Sequence, residues 1–156
     1  MPTTPINKTR KTQPKAAVSL NGVEWIVEAY GCAEASLSNL QTLQALFARM
    51  VRELGLHPCG EEQWRQFPES GGITGLCLLS ESHLACHTFP EHGSLCLNLF
   101  CCRPRPEWDF RGCLEQAFGA TVVNVRRLER PYFAVPTITN SAPSISAYAA
   151  RESAPE

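Results

Sequence analysis

Residues 80–102, with the sequence SESHLACHTFPEHGSLCLNLFCC, decide the fold because they predict two neighbouring strands joined by a turn. Residues 82–88 are extended in character, the PEHG sequence at 90–93 turns the chain, and residues 94–102 alternate between two faces. The stretch holds three of the four histidines and four of the eight cysteines. One face of the second strand carries leucines, and the other carries an amide and thiols: Cys96, Asn98, Phe100 and Cys102. This second face is the one that we expect to line a site.

Further segments before and after this stretch have strand patterns. VEWIVEAY at 23–30 alternates and has one partly charged face, and ITGLCLL at 73–79 is an apolar run of the length typical of a buried strand. TVVNVRRL at 121–128 predicts the last strand. Residues 57–67 are ambiguous, and for them we predict a strand that contains a polar turn.

Two segments have the periodicity of amphipathic helices. In residues 36–54, apolar side chains recur at three- and four-residue spacing, and Ser38 with Gln41 fits a capping box at the start. Residues 107–118 have a similar apolar stripe, with Asp109 in the predicted first turn. Both stripes indicate helices that pack on a core.

The order of these elements predicts an α+β fold. Strands outnumber helices and are joined by tight turns, which favours a two-layer sandwich of an antiparallel sheet with both helices on one face. Such a sheet leaves its other face free for a partner or a site. We expect a folded domain at residues 19–135, a disordered basic tail at 1–18 and a second disordered tail at 136–156.

Composition argues against several classes of protein. A formal net charge of -1 gives no electrostatic case for binding nucleic acid. No apolar run approaches the roughly 20 residues of a membrane helix, and no hydrophobic segment follows the basic N-terminus. We therefore expect a cytoplasmic protein with reduced thiols and no membrane partner. The cysteines have no C-x-x-C spacing, so we expect no metal site.

The residues alone leave the chemistry of the central stretch open. Ser82 or Cys102 could serve as a nucleophile if a histidine touched it, and spacing in sequence does not show such contact. His83 and His87 would share one face of a strand and could bind a metal, but no carboxylate completes the set. Satisfied polar residues at a sheet edge are the third interpretation.

The sequences SESHLACHTFPEHG and LNLFCC resemble the self-processing S-adenosylmethionine decarboxylase family of prokaryotic type. GVEWIVEAYGC and GGITG, which lie earlier in the chain, are also similar to that family, so the resemblance spans roughly residues 22–128. It implies cleavage between Glu81 and Ser82 into a β chain, 1–81, and an α chain, 82–156. Ser82 would become a pyruvoyl group, which holds the substrate amine as a Schiff base and accepts electrons during decarboxylation.

The resemblance also implies roles for individual residues. Thr74 takes the place of a serine that assists the rearrangement, His87 takes the proton during elimination, and Cys102 is the catalytic acid. The implied substrate contacts are Phe67 and Phe89 on the adenine and Glu91 on the ribose. Asn98 and Glu24, which depart from the family pattern, are implied contacts beside the pocket.

Three functions follow from this resemblance. The first is decarboxylation of S-adenosylmethionine, a small-molecule substrate, to the aminopropyl donor of spermidine biosynthesis. The second keeps the mechanism but takes L-arginine or L-ornithine, because the acidic Glu24 could hold a guanidinium or ammonium group. The third is a relative that does not process itself and only binds a ligand or partner. The family also implies a homodimer of cleaved protomers.

Overall fold

The structure is a computed structural model that describes residues 21–132 of the chain. Both predicted tails, 1–18 and 136–156, lie outside the described residues, as do the ends of the predicted domain 19–135. The strands and helices, in chain order, are β1 Asn21–Tyr30, α1 Glu34–Leu37, α2 Leu40–Leu54, β2 Gln63–Gln66, β3 Ile73–Leu79, β4 Ser82–Phe89, β5 Ser94–Cys101, α3 Phe110–Phe118 and β6 Val122–Pro131. A 3₁₀ turn, Pro90–His92, joins β4 to β5.

The strands form one six-stranded antiparallel sheet with the order β2-β3-β4-β5-β1-β6. Strands β2 to β5 follow one another as a meander, and the first strand lies between β5 and the last strand. This arrangement confirms the predicted α+β class. It also puts the central stretch, β4 and β5, in the middle of the sheet.

The core lies between one face of the sheet and the helices. On that face, alternate side chains of β1 and β5 are buried, among them Trp25, Val27 and Leu99. Phe47 of α2 and Phe118 of α3 are fully buried against them. Because each strand alternates, the residues between these positions face the other side of the sheet.

The opposite face of the sheet has no helix over it among the described elements, and it is partly apolar. Leu76 and Leu78 of β3 are 45% and 61% exposed, and Tyr30 at the end of β1 is 44% exposed. Ile26 and Phe100 are half-buried on the same face. Exposed apolar side chains on an uncovered sheet face are typical of a protein–protein interface.

The helix boundaries differ from those that the sequence pattern predicts. The predicted helix 36–54 is two helices, and the cap of α2 is Asn39, whose side chain accepts a hydrogen bond from the Thr42 amide (3.1 Å). The predicted Ser38 capping box is therefore wrong, because Ser38 belongs to the end of α1. Asp109 caps α3 by accepting from the Gly112 amide (2.9 Å), so it precedes the first turn.

Two strands also differ in length from the predictions. Only Gln63–Gln66 of the ambiguous segment 57–67 forms a strand, and Pro58 makes an isolated bridge to Leu79. The last strand extends to Pro131, because β6 pairs with β1 along its whole length.

In the part of the chain that the structure describes, no helix has both the length and the apolar character needed to cross a membrane.

Thr88 is the buried polar residue of the central stretch, and it connects β4 to the helical layer. Its hydroxyl donates to the Leu37 carbonyl of α1 (2.9 Å) and accepts from the Ile73 amide (2.8 Å). Thr88 is only 5% exposed. These hydrogen bonds and this burial explain the threonine in the sequence HTFPE.

Candidate active site

The predicted scissile bond lies at the tip of a tight hairpin. Leu79 pairs with Ser82, so the β3–β4 connection consists of Ser80 and Glu81 alone. The Glu81–Ser82 bond is therefore the point where the chain leaves the turn and enters β4. A two-residue hairpin turn fixes the backbone on both sides of this bond.

Glu81 is held at its main chain and at both side-chain oxygens. Its carbonyl accepts a hydrogen bond from the Cys102 amide (3.1 Å). Its carboxylate forms an ion pair with Arg105 and accepts a hydrogen bond from the Ser80 hydroxyl (3.3 Å). The carbonyl that Ser82 would attack is thus polarised by one amide and kept in place by three contacts.

Ser82 lies beside the cysteines that end β5. Its Cα pairs with Cys101, and its hydroxyl is 3.9 Å from the Cys101 sulfur. Cys101 is fully buried, and burial raises the pKa of its thiol. The next residue, Cys102, is half-buried just beyond the strand, and its carbonyl accepts from the Tyr132 hydroxyl (2.7 Å). We call Glu81, Ser82, Cys101 and Cys102 the cleavage cluster.

A second group of predicted site residues lies at the other end of β4. Thr74 pairs with His87, and its hydroxyl is 2.9 Å from His87 Nδ1. Phe89 ends β4 at 40% exposure, and Phe67 follows β2 at 44% exposure. Glu91 is exposed in the 3₁₀ turn that follows. We call these five residues the histidine cluster.

The two clusters are far apart within one chain. Ser82 and His87 are five residues apart on a continuous strand. At about 3.3 Å per residue, their Cα atoms lie about 16 Å apart, beyond the reach of a hydrogen bond. A single chain therefore brings Ser82 to Cys101 and to the main chain of Cys102 but does not bring His87 or Thr74 to them.

A chain of hydrogen bonds crosses the open face of the sheet near the cleavage cluster. Asn98 forms a hydrogen bond on each side: its Oδ1 accepts from His83 Nε2 (2.9 Å), and its Nδ2 donates to Glu24 (2.8 Å). The other Glu24 oxygen forms an ion pair with Arg130. The bond from Asn98, together with the Arg130 guanidinium, holds the pKa of Glu24 below its ordinary value against the effect of burial. Glu24 is therefore a satisfied carboxylate in this structure.

Sequence reasoning missed four residues that contact the site. Arg105 and Arg130 pair with Glu81 and Glu24, Tyr132 bonds Cys102, and Cys101 lies against Ser82. The charges of the arginines offered no signal, because their partners lie 24 and 106 positions away. Among residues 21–132, no three metal-ligating side chains cluster closely enough to hold an ion.

Comparisons with known proteins show which family the chain resembles. A family model described as S-adenosylmethionine decarboxylase matches residues 23–131. A protein of Carboxydothermus hydrogenoformans, named S-adenosylmethionine decarboxylase proenzyme, is 31% identical over 106 residues, which are 67% of this chain and 82% of that protein. A proenzyme of the same name from Acetivibrio thermocellus is 30% identical over 112 residues, 71% of this chain and 89% of its own length.

A solved structure has the same fold. It is the crystal structure of the adenosylmethionine decarboxylase from Aquifex aeolicus, with a TM-score of 0.62 and 22% sequence identity. The similarity covers 78% of this chain and 98% of the other.

Proposed function

The chain belongs to the S-adenosylmethionine decarboxylase family, and from this premise we propose that it cuts itself between Glu81 and Ser82 and then decarboxylates S-adenosylmethionine. The observation that carries the proposal is the geometry at the hairpin tip. There the Glu81 carbonyl accepts from the Cys102 amide at 3.1 Å, beside the Ser82 hydroxyl. The nucleophile and the polarised carbonyl thus occur in adjacent residues, and the main chain of the predicted proton donor contacts that carbonyl.

Self-cleavage begins with attack of the Ser82 hydroxyl on the Glu81 carbonyl carbon. The Cys102 amide stabilises the negative charge that develops on the carbonyl oxygen, as an oxyanion hole does. Thr74 and His87 form a hydrogen-bonded pair (2.9 Å) suited to moving a proton in the later elimination. The residues at the hairpin fit the conversion of Ser82 into a pyruvoyl group, because the serine and the carbonyl before it are already fixed.

The pyruvoyl group supplies the electron sink that decarboxylation needs and that protein side chains lack. Cys102 lies immediately after β5 and is half-buried, next to the position of Ser82. In this proposal its thiol returns a proton to the substrate carbon that has lost its carboxyl group. The product is the aminopropyl donor used in spermidine biosynthesis.

We infer that a second copy of the chain completes the site. The histidine cluster lies about 16 Å from Ser82 in the same chain, too far to act on it. The open face of the sheet, with Leu76 and Leu78 exposed, is suited to covering by an identical face. If two such faces pack with their strands running in opposite directions, the hairpin tip that carries Ser82 lies at the same end of the interface as the partner's histidine cluster.

Substrate contacts then come from the histidine cluster of the partner protomer. Phe67 and Phe89 are both exposed, each at the C-terminal end of its strand, and could stack on the two faces of an adenine. Glu91 is exposed nearby and is suited to accept hydrogen bonds from the ribose hydroxyls. Glu24 and Asn98 lie beside the cleavage cluster and shape the pocket through their own hydrogen bond.

No observation favours L-arginine or L-ornithine as the substrate. That hypothesis depended on Glu24 being free to hold a basic side chain. Both of its carboxylate oxygens have partners in the structure, Asn98 and Arg130. The hypothesis of a relative that only binds a ligand predicts an uncleaved chain, whereas our proposal predicts a cleaved one.

The test is purification of the full chain followed by a denaturing gel and an assay of carbon dioxide release. We expect two fragments divided at Glu81–Ser82 and release of carbon dioxide from S-adenosylmethionine, with little from arginine or ornithine in parallel assays. Ser82→Ala is the control, and it should stay in one piece and be inactive. An uncleaved wild-type chain would contradict the proposal.

A further inference from the structure

We propose that Arg105 binds the carboxylate that cleavage creates at the main chain of Glu81 and stabilises it as it leaves Ser82. The inference rests on the proposed self-cleavage and assigns it a residue outside the matched motif. Arg105 lies in the loop between β5 and α3, three residues after Cys102.

Arg105 already holds the residue on the amino side of the scissile bond. Its guanidinium forms an ion pair with the Glu81 side chain. Both side chains are largely withdrawn from water, with 17% and 22% exposure. Ion pairs with this little solvent are screened weakly, so the contact fixes the hairpin tip more firmly than a surface pair would.

The Arg105 guanidinium also has a donor without a partner. Its Nε is buried and has no acceptor among the residues that the structure describes. A buried N–H of a charged group without an acceptor costs free energy, and such groups commonly mark a place for a ligand or water. The guanidinium fork is suited to a carboxylate, and Glu81 is the residue at which cleavage would produce a new one.

The chemistry of cleavage produces this carboxylate in a defined step. Ser82 Oγ bonds to the Glu81 carbonyl carbon, the peptide C–N bond breaks, and the nitrogen takes the hydroxyl proton, which gives an ester. A base then removes the Ser82 Cα proton, the Cβ–O bond breaks, and both electrons of that bond leave with the Glu81 carboxylate. The remaining enamine rearranges to an imine, and water replaces its nitrogen, which departs as ammonia.

Arg105 acts on the second of these steps. The ester oxygen carries no charge before elimination and shares a full negative charge afterwards. A guanidinium beside it favours the product-like transition state more than the ester, so it accelerates elimination. The same contact has a second consequence, because Glu81 would lie in the 1–81 fragment and Arg105 in the 82–156 fragment. After cleavage the ion pair joins the two fragments.

The experiment compares Arg105→Gln with Arg103→Gln in the full-length chain. Arg103 is an exposed arginine two positions away, so its variant makes the same change of charge. Cleavage is followed on denaturing gels with and without hydroxylamine, which cuts esters and leaves a fragment that begins with an intact serine. We expect Arg105→Gln to complete cleavage about tenfold more slowly or worse and to accumulate ester that hydroxylamine releases, whereas Arg103→Gln matches wild type. Arg105→Lys, which retains a charge but not the fork, should fall between the two.

The outcomes separate this inference from the proposed function. If wild type is not cleaved, both are overturned. If wild type is cleaved and Arg105→Gln shows the same rate and no extra ester, only the role of Arg105 is overturned. The role of Arg105 in elimination is also overturned if Arg105→Gln stays intact and hydroxylamine releases no fragment, because that variant is then blocked before the ester forms. If Arg105→Gln does not fold, Arg105→Lys decides, since wild-type kinetics in that variant would contradict the proposal.

Discussion

Ser82 and His87 lie on the same strand, β4, but at its opposite ends. Ser82 pairs with Leu79 and Cys101, whereas His87 pairs with Thr74 and Cys96. The nucleophile of the proposed cleavage is thus about 16 Å from the proposed base. This separation makes the arrangement of two chains a testable part of the chemistry.

Two inactive variants should restore cleavage to each other. Ser82→Ala removes the nucleophile and His87→Ala removes the base, so each alone should remain uncleaved. In a mixed dimer, the His87→Ala chain keeps Ser82 and meets the His87 of its partner. With random association, about half of the His87→Ala chains should be cleaved after co-expression with differently tagged Ser82→Ala chains. Mass spectrometry of the separated tags measures this fraction.

Complementation has a specific control. A double variant, Ser82→Ala with His87→Ala, offers neither group and should not rescue a His87→Ala chain. Cleavage of the His87→Ala chain by itself would show that His87 is not needed. Absence of rescue in a confirmed mixed dimer would show that the base acts within its own chain.

Cys102→Ala should separate cleavage from turnover. The amide that contacts the Glu81 carbonyl is retained in alanine, so the chain should still be cut. Loss of the thiol removes the proton donor, and we expect decarboxylation to fall about 10²- to 10⁴-fold. Cys59→Ala, at an exposed cysteine in the segment before β2, is the matched control and should keep its activity. Unchanged carbon dioxide release by Cys102→Ala would exclude the thiol from the reaction.

Thr88→Val should destabilise the fold, because it removes the hydroxyl that bonds Leu37 and Ile73. A buried carbonyl and a buried amide would each lose a partner, and we expect a loss of about 1–3 kcal/mol. Thr88→Ser keeps the hydroxyl and should lose less. Urea unfolding in a Ser82→Ala background, which keeps the chain in one piece, measures both. Equal stability of Thr88→Val and the parent would contradict the assigned role.

Glu24 should make stability depend on pH on the acid side. Its pKa is lowered in the folded chain by Asn98 and Arg130, so the folded state prefers the ionised form. That contribution is present above the pKa of the unfolded chain and is lost as pH falls through the lower folded pKa. We expect Glu24→Gln to be less stable by up to about 1 kcal/mol near neutral pH, since Arg130 is partly exposed.

The difference should disappear in acid. Once the pH has fallen through the lowered pKa of the folded chain, the Glu24 carboxylate is protonated in both states, and the two proteins should converge. Thermal melting of both proteins in the Ser82→Ala background, at neutral and acidic pH, measures this. Glu69→Gln, which removes a carboxylate from an exposed turn, is the control for the loss of one charge. A constant difference at every pH would contradict the assignment.

Alternation and helical periodicity were enough to predict the antiparallel sheet and the helical layer. Val23, Trp25 and Val27 are buried as their alternation predicts, because period-two burial is a local property of a strand. The helix starts were misjudged, since Asn39 and Ser38 have nearly equal capping preference and only the packing of α1 separates them.

The relative positions of the site residues were not predictable in the same way. The motif SESHLACHTFPE puts Ser82 and His87 within one short segment of sequence, which suggests proximity. An extended strand separates two residues that a helix or loop would bring together. The assignment of residues 82–89 to a strand is therefore enough to place Ser82 and His87 far apart. The partners of Glu81 and Glu24 depend on long-range contacts with Arg105 and Arg130, which no local pattern encodes.

The most direct test of the central claim is mass spectrometry of freshly purified protein, with and without borohydride reduction in the presence of S-adenosylmethionine. The account predicts a fragment that begins at residue 82 with a ketone in place of its amine and that becomes covalently labelled on reduction. An intact chain, or a fragment that begins with an ordinary serine and takes up no label, would contradict it.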